Sequence, residues 1–229
     1  HRGCLGNCTF CQVPRFFGRS IRSRSIDNIV EEVRQMKRQG VRRVAVSGGT
    51  GSLFGYGKQI NREAFVEMLR ALSGILGKRN LSVPDMRVDL VDEAVLEAVR
   101  DYTIGWVFFG LESGSNAMLK AMKKGVTRED NLRAVELARR VGVKVGGSFI
   151  VGYPGESRED YMESMSFLEQ AMLDDVFVSI AEPIPGTPLA RLALDSQEKE
   201  LALYQEHDGD YRALRLSEAE ARCFELMLQ

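Results

Sequence analysis

Two hydrophobic periods alternate along most of the chain. Behind Ser25, a polar residue suited to cap a helix, apolar residues recur at Ile26, Ile29, Val30, Val33 and Met36, and Gly40 stands as the stop. The β-branched run Val41–Ser47 then reads as a short strand, closed by Gly48-Gly49-Thr50-Gly51; Gly51–Gln59 holds three glycines and no period, and reads as a loop. Asn61 caps a second helix with a stripe of Phe65, Met68, Leu69, Leu72, Ile75 and Leu76. Leu81–Val88 reads as a strand whose start is blurred by Pro84. Asp92 opens a helix carrying Val95, Leu96 and Val99, and Trp106–Leu111 is the most apolar strand.

The same alternation continues. Met118, Leu119 and Met122 suggest a short helix. Thr127 and Asp130 form a capping-box pattern before Leu132, Val135 and Ala138, and Val143–Val151 reads as a strand. Ser157 and Asp160 repeat the box before a stripe of Met162, Met165, Leu168 and Met172, and Val176–Ala181 is the last clear strand. Near-continuous apolar strands separated by amphipathic helices predict an α/β fold with a parallel sheet and helices outside it. An open sheet and a barrel share this pattern, and both gather the strand C-termini, where sites form, on one edge. From Leu189 the order weakens: Asp195–Leu216 is charged, and Ser217–Leu228 reads as a final amphipathic helix. The expected division is a core of residues 1–193 and a C-terminal helical extension of residues 194–229.

Composition narrows the class. The chain has 229 residues, 44% of them hydrophobic, enough for a sizeable core. Lys and Arg number 31 against 32 Asp and Glu, so no global field draws it to nucleic acid or an acidic membrane. No apolar run approaches the roughly 20 residues of a membrane helix, and no signal-like segment is present; the expected location is the cytoplasm.

Chemistry concentrates near the start. Of four cysteines, Cys4, Cys8 and Cys11 lie on one short Gly-containing loop, unlike a disulfide scaffold. Three soft thiolates can converge on one metal centre. A mononuclear zinc site would want a fourth ligand, for which only His1 and Cys223 present themselves; a [4Fe–4S] cluster held by three thiolates would leave one iron open to a small molecule. A cysteine loop normally follows an element that holds it, and His1-Arg2-Gly3 is too short to be one, so a strand is expected upstream.

The spacing of Cys4, Cys8 and Cys11, with the aromatic Phe10 just before the last, resembles the signature of the radical S-adenosylmethionine (SAM) superfamily. Cys8-Thr9-Phe10-Cys11-Gln12-Val13-Pro14, Gly18, Arg22-Ser23-Arg24-Ser25 and Ile29-Val30-Glu31-Glu32-Val33 resemble two of its branches: the methylthiotransferases that modify tRNA or a ribosomal protein, and the cobalamin-binding radical SAM proteins. The resemblance runs from Gly3 to about Leu189. It implies a partial (β/α)6 barrel in which the cysteine loop follows a first strand lying outside this chain.

The resemblance also implies site residues. Cys4, Cys8 and Cys11 would hold the cluster. Gly48, Gly49 and Thr50 stand where a Gly-Gly-Glu motif holds the SAM amino group; Thr50 replaces the acid, and Ser47 or Thr50 can offer a hydroxyl. Glu112, at the end of the Trp106–Leu111 strand, is placed to accept the two ribose hydroxyls, with Ser113 as the alternate. Lys123, or the adjacent Lys124, would meet the SAM carboxylate. Ile150, Gly152 and Tyr153 would line the adenine. Glu156 is read as favouring the helix N-terminus that follows it. Arg15, Arg19, Arg22 and Arg24 crowd the cysteine loop, either as a solvated braced loop or as an anchor for an anion. His207 reads as a surface residue.

The implied chemistry is one-electron cleavage of SAM at the reduced cluster, supported by a reductant such as flavodoxin or ferredoxin, giving a 5′-deoxyadenosyl radical that abstracts hydrogen. The Cys11–Pro14, Arg22–Ser25 and Pro183–Leu189 segments together favour a cobalamin-dependent C-methyltransferase with an upstream cobalamin-binding domain. The alternatives are a methylthiotransferase acting on RNA or protein, and a non-catalytic, metal-stabilised interaction protein.

Overall fold

The computed structural model describes residues 1–47 and 49–195, together with the backbone of 202–205 and 211–214. Eight helices and eight strands are laid out in chain order among these residues. They are α1 (Val13–Phe17), α2 (Ile26–Arg38), β1 (Val44–Ala45), α3 (Arg62–Leu76), β2 (Leu81–Ser82), β3 (Asp85–Met86), α4 (Glu93–Tyr102), β4 (Trp106–Glu112), α5 (Asn116–Ala121), α6 (Arg128–Val141), β5 (Lys144–Val151), α7 (Arg158–Ala171), β6 (Asp175–Ile180), α8 (Pro188–Asp195), β7 (Ala202–Gln205) and β8 (Tyr211–Leu214).

The caps fall where the polar residues asked for them. Ser25, Asn61 and Asp92 each accept a backbone N–H from the first turn of α2, α3 and α4. Both capping boxes, Thr127 with Asp130 and Ser157 with Asp160, are reciprocal. The pairings in the α/β core are all parallel: β1 with β2, and β3-β4-β5-β6 in chain order. The expected Leu81–Val88 strand is therefore split. Its first half pairs with β1 and its second with β4, and Pro84, which has no N–H to give, lies at the changeover while its carbonyl accepts from Phe108 at 2.7 Å. The result is an α/β partial barrel, with no ladder joining β6 to β1 among the described residues.

Further expectations need correction. The Val41–Ser47 strand shrinks to two paired residues, Val44 and Ala45, with one further bond from the Val46 N–H to the Ser82 carbonyl at 2.8 Å. Pro14 at N1/N2 starts a helix, α1, that periodicity did not suggest. On α7 the fully buried face is Tyr161, Ser164, Phe167 and Ala171; of the expected stripe, Met165 and Leu168 pack on the core only partly buried, while Met162 and Met172 are 54% and 68% exposed. Ser164 can sit inside because its hydroxyl meets Ser113 and the Gly114 N–H, and Phe167 packs on Phe149. In the C-terminal region, β7 and β8 pair antiparallel within the stretch expected to be a helical extension. Ser217–Leu228, His207 and Cys223 lie outside the described residues, as does Gly48.

The main core joins Phe65, Leu69 and Leu72 of α3, Val95, Leu96 and Val99 of α4, Val107, Phe109 and Leu111 of β4, and Phe149 of β5. A second, smaller apolar cluster of Met118, Met122, Ile150, Tyr153, Ala181 and Leu189 lies apart, and Phe10 packs onto it. That second cluster is the seat of the cysteine loop.

Candidate active site

The cysteine loop is closed at its base by a bridge in which Arg2 and Arg22 exchange backbone hydrogen bonds of 2.9 and 3.0 Å. Gly3 has φ +96°, and a side chain there would run into the Ser20 carbonyl, so only glycine lets the chain enter the loop. Arg19 and Arg22 donate to the carbonyls of Leu5 and Phe17, and Arg24 pairs with Glu32. These arginines brace the loop and its surroundings.

Thr9 fixes the loop to the C-terminal edge of the sheet. Its N–H and hydroxyl both donate to the Met122 carbonyl, its hydroxyl shares a 2.7 Å hydrogen bond with Tyr153, and its carbonyl accepts from Leu189. With Phe10 packed below, Cys4, Cys8 and Cys11 are held half-buried, as free thiols, over that edge. The residues that follow β1, β3 and β5, and the last residue of β4, lie on the same edge, as parallel strands require.

Glu112 ends β4. The β4–β5 register slips between Gly110 and Glu112, a bulge that re-aims the side chain, and Glu112 sits at φ +66°, an unusual place for a residue with a Cβ. Its carboxylate receives Lys124 Nζ at 2.7 Å, in a pair whose side chains are 9% and 5% exposed, and lies 3.5 Å from the Ser148 hydroxyl. A Cβ on Gly110 would fall 2.6 Å from Glu112 Oε1 and 2.8 Å from Lys124 Nζ, so the pair rests directly over a bare stretch of strand. Glu112 is close enough for its charge to act on Cys11. Burial pushes the Cys11 thiol up, a Val13 N–H opposes this, and Cys8, Cys4 and Glu112 add to the rise.

The other expected residues fall in different surroundings. Lys123 is exposed, in a shallow groove with Asn7 and Lys120, while its neighbour Lys124 turns inward to Glu112. Ser113 is buried against α7, sharing a hydrogen bond with Ser164, so its hydroxyl faces away from Glu112's partners. Ile150 and Tyr153 lie in the apolar cluster under Phe10, where Tyr153, 1% exposed, supports the cysteine loop through Thr9. Gly152 donates its N–H to the Glu156 carboxylate, which closes the turn after β5; burial pushes Glu156 up to about 7. Thr50 is buried, Ser47 Oγ hydrogen-bonds Asp85 at 2.7 Å, and Gly49 lies beside His1, whose Nε2 is buried with no partner.

Arg87, directly after β3, escaped the sequence reading because it fell inside the expected Leu81–Val88 strand. It is 9% exposed, holds Asp89 through two 2.9 Å contacts, donates to the Lys124 carbonyl at 2.8 Å and reaches Cys8 Sγ at 3.5 Å. The structure thus links Cys8, Arg87, Lys124, Glu112 and Cys11 into one cluster of contacts and close charges.

The donor set suits an iron–sulfur cluster. Among the described residues no three His, Cys, Asp or Glu side chains converge on a single ion. A four-iron cube instead takes one thiolate at each of separate corners, and three half-buried thiols on a braced loop offer that. The unpartnered His1 nitrogen beside Gly49 suits a polar small molecule there.

Comparisons with known proteins agree. The profile of the radical SAM superfamily matches residues 1–168. A Methanocaldococcus jannaschii protein that carries a provisional name as a methylthiotransferase is 61% identical over 228 residues, covering 100% of this chain and 51% of its own length. The tRNA-2-methylthio-N(6)-dimethylallyladenosine synthase of a Sulfurihydrogenibium species is 31% identical over 205 residues, 88% of this chain and 46% of its own. The chain thus spans about half the length of these relatives. Among solved structures, the cobalamin-dependent SAM radical enzyme OxsB with aqua-cobalamin and SAM bound superposes with a TM-score of 0.71 at 19% identity, over 98% of this chain and 39% of that one. The radical SAM methyltransferase TsrM of Kitasatospora setae, with cobalamin and a [4Fe–4S] cluster, gives 0.68 at 18%, over 90% and 41%. At such identities these last two likenesses speak for the fold alone. With its three-cysteine loop seated on the C-terminal edge of a parallel partial barrel, the chain belongs to the radical SAM superfamily.

Proposed function

We propose that this chain is the radical SAM core of a methylthiotransferase acting on an RNA or protein substrate. The observation that carries the reading is the 61% identity, over the whole chain, with a protein named for that activity, together with the tRNA-modifying synthases at about half that identity. The cobalamin-dependent C-methyltransferase expected from the Cys11–Pro14, Arg22–Ser25 and Pro183–Leu189 segments has weaker support, because the cobalamin enzymes resemble this chain in fold at 18–19% identity. An upstream cobalamin-binding domain accordingly forms no part of the proposal.

When bound, the cluster and SAM supply one-electron cleavage of a carbon–sulfur bond and the radical chemistry that follows, with a low-potential reductant such as flavodoxin or ferredoxin as the electron source. The protein's own residues supply the rest. Cys4, Cys8 and Cys11 would hold the cluster. Glu112 accepts the ribose hydroxyls, and Lys124, in place of Lys123, supplies the positive charge facing the SAM carboxylate. Ser47, Gly49, Thr50 and the backbone at Gly152 frame its other groups. The apolar cluster of Met118, Met122 and Ile150 keeps water from beneath the loop.

The test uses the native polypeptide, reconstituted anaerobically and given dithionite, sulfide, methyl-labelled SAM and total tRNA or ribosomal protein. Labelled methylthio groups in the digested substrate are expected. Their absence, combined with about one cobalt bound per chain and methyl transfer from SAM to added hydroxocobalamin, would replace this reading with the C-methyltransferase.

A further inference from the structure

Each cysteine of the loop faces one hydrogen-bond donor. Gly6 N–H meets Cys4 Sγ at 3.3 Å, and Val13 N–H faces the Cys11 thiol. Both are backbone donors two residues beyond the cysteine they serve. Cys8 is served differently: its donor is Arg87 Nη1 at 3.5 Å, from the end of β3, 79 positions along the chain.

The guanidinium has little freedom to point elsewhere. Nε and Nη2 grip Asp89 as a fork, Nη2 also donates to the Lys124 carbonyl, and only Nη1 is left to face the sulfur. The two charges of the fork are unequally screened. The Arg87 side chain is 10% exposed and the Asp89 side chain 36%, so water weakens the carboxylate's field more than the guanidinium's. A net positive field is left at the Cys8 corner. The nearby Lys124 and Glu112 pair with each other and largely cancel.

We infer that Arg87 is a positioning residue for the iron–sulfur cluster, orienting its Cys8 corner and raising its reduction potential. Gaining an electron makes the cluster and its three thiolates more negative. A fixed, poorly hydrated cation and a hydrogen bond at a ligating sulfur both favour that state. The inference rests on the cluster common to the superfamily and holds whichever substrate the enzyme takes.

The test is a redox titration of the anaerobically reconstituted protein with mediator dyes, following the reduced cluster by electron paramagnetic resonance and counting iron per chain. Arg87→Gln is expected to keep about four iron and to move the midpoint to a more negative potential. Arg87→Lys, a point charge without the fork, should fall between it and the wild type. Asp89→Asn, on the wetter side of the pair, should move the midpoint the opposite way, because it removes the partly compensating charge. A purely structural role would not give opposite signs. A full cluster with an unmoved midpoint in Arg87→Gln overturns the inference. If Arg87→Gln fails to retain its cluster, Asp89→Asn decides: an upward shift supports the inference, and an unchanged midpoint overturns it.

Discussion

Replacing Lys124 by Met removes one half of the Glu112–Lys124 pair at nearly constant side-chain length. The two side chains are 9% and 5% exposed, so solvent neither screens the attraction nor rehydrates the partner left behind. After the change the Ser148 hydroxyl, at 3.5 Å, is the one side-chain hydrogen-bond partner left to Glu112 among the described residues. Breaking a buried pair from one side costs about 3–5 kcal/mol, and for a chain of this size each kcal/mol moves the melting temperature by roughly 2–4 °C. Anaerobic thermal unfolding of Lys124→Met should therefore show a drop of about 6–20 °C. Glu112→Gln alone strands the ammonium and should also be costly. The double variant leaves no buried charge, so its loss should fall short of the sum of the two singles by about 2 kcal/mol or more. Urea titrations of all four proteins give the cycle. Single losses below about 1 kcal/mol, the scale of an exposed pair, or losses that add within about 0.5 kcal/mol, would refute the buried-pair reasoning.

Other consequences can be measured in the same way. Glu156, raised from 4.5 to about 7, holds a proton in the native state that the unfolded chain has already lost, so stability present at pH 4.5 should fall by about 3 kcal/mol as pH rises through 7; urea titrations at pH 4.5 and 8 should show that slope flattened in Glu156→Gln. Tyr153→Phe removes the buried 2.7 Å bond to Thr9 and should cost about 1 kcal/mol, with faster hydrogen exchange confined to the cysteine loop. Phe167→Ala should cost about 3–5 kcal/mol and Met162→Ala less than about 0.5, the reverse of what the methionine stripe predicts. Iron analysis after anaerobic reconstitution should find the cluster lost from the Cys4, Cys8 and Cys11→Ala triple variant and kept in Cys223→Ala.

Much was legible in the sequence because it is written in local physics. Caps, periods and strand composition act over a few residues, and so α2, α3, α4, α6, β4 and β5 begin and end close to where Ser25, Asn61, Asp92, Thr127 and the apolar runs put them. The cysteine triplet was equally plain, since its three members lie within one loop. Apart from α1, whose Pro14 start is a local signal, the failures share one cause: each depends on a partner remote in sequence. Ser164 reads as polar and exposed until Ser113 and Gly114, just after β4, arrive to satisfy it, and that contact lets it join the buried face of α7 while Met162 stays outside. Arg87 reads as an interruption in a strand until Cys8, 79 positions earlier, comes to lie against it. Lys123 and Lys124 are equal candidates by position; only the turn after α5 sends one to solvent and the other under the sheet edge to Glu112, whose own aim is set by a bulge against β5. The sequence alone determined most of the elements and the three-cysteine loop. Tertiary packing decided which charges lie beside that loop, because a field is set by distance and burial, and neither exists until the strands have come together.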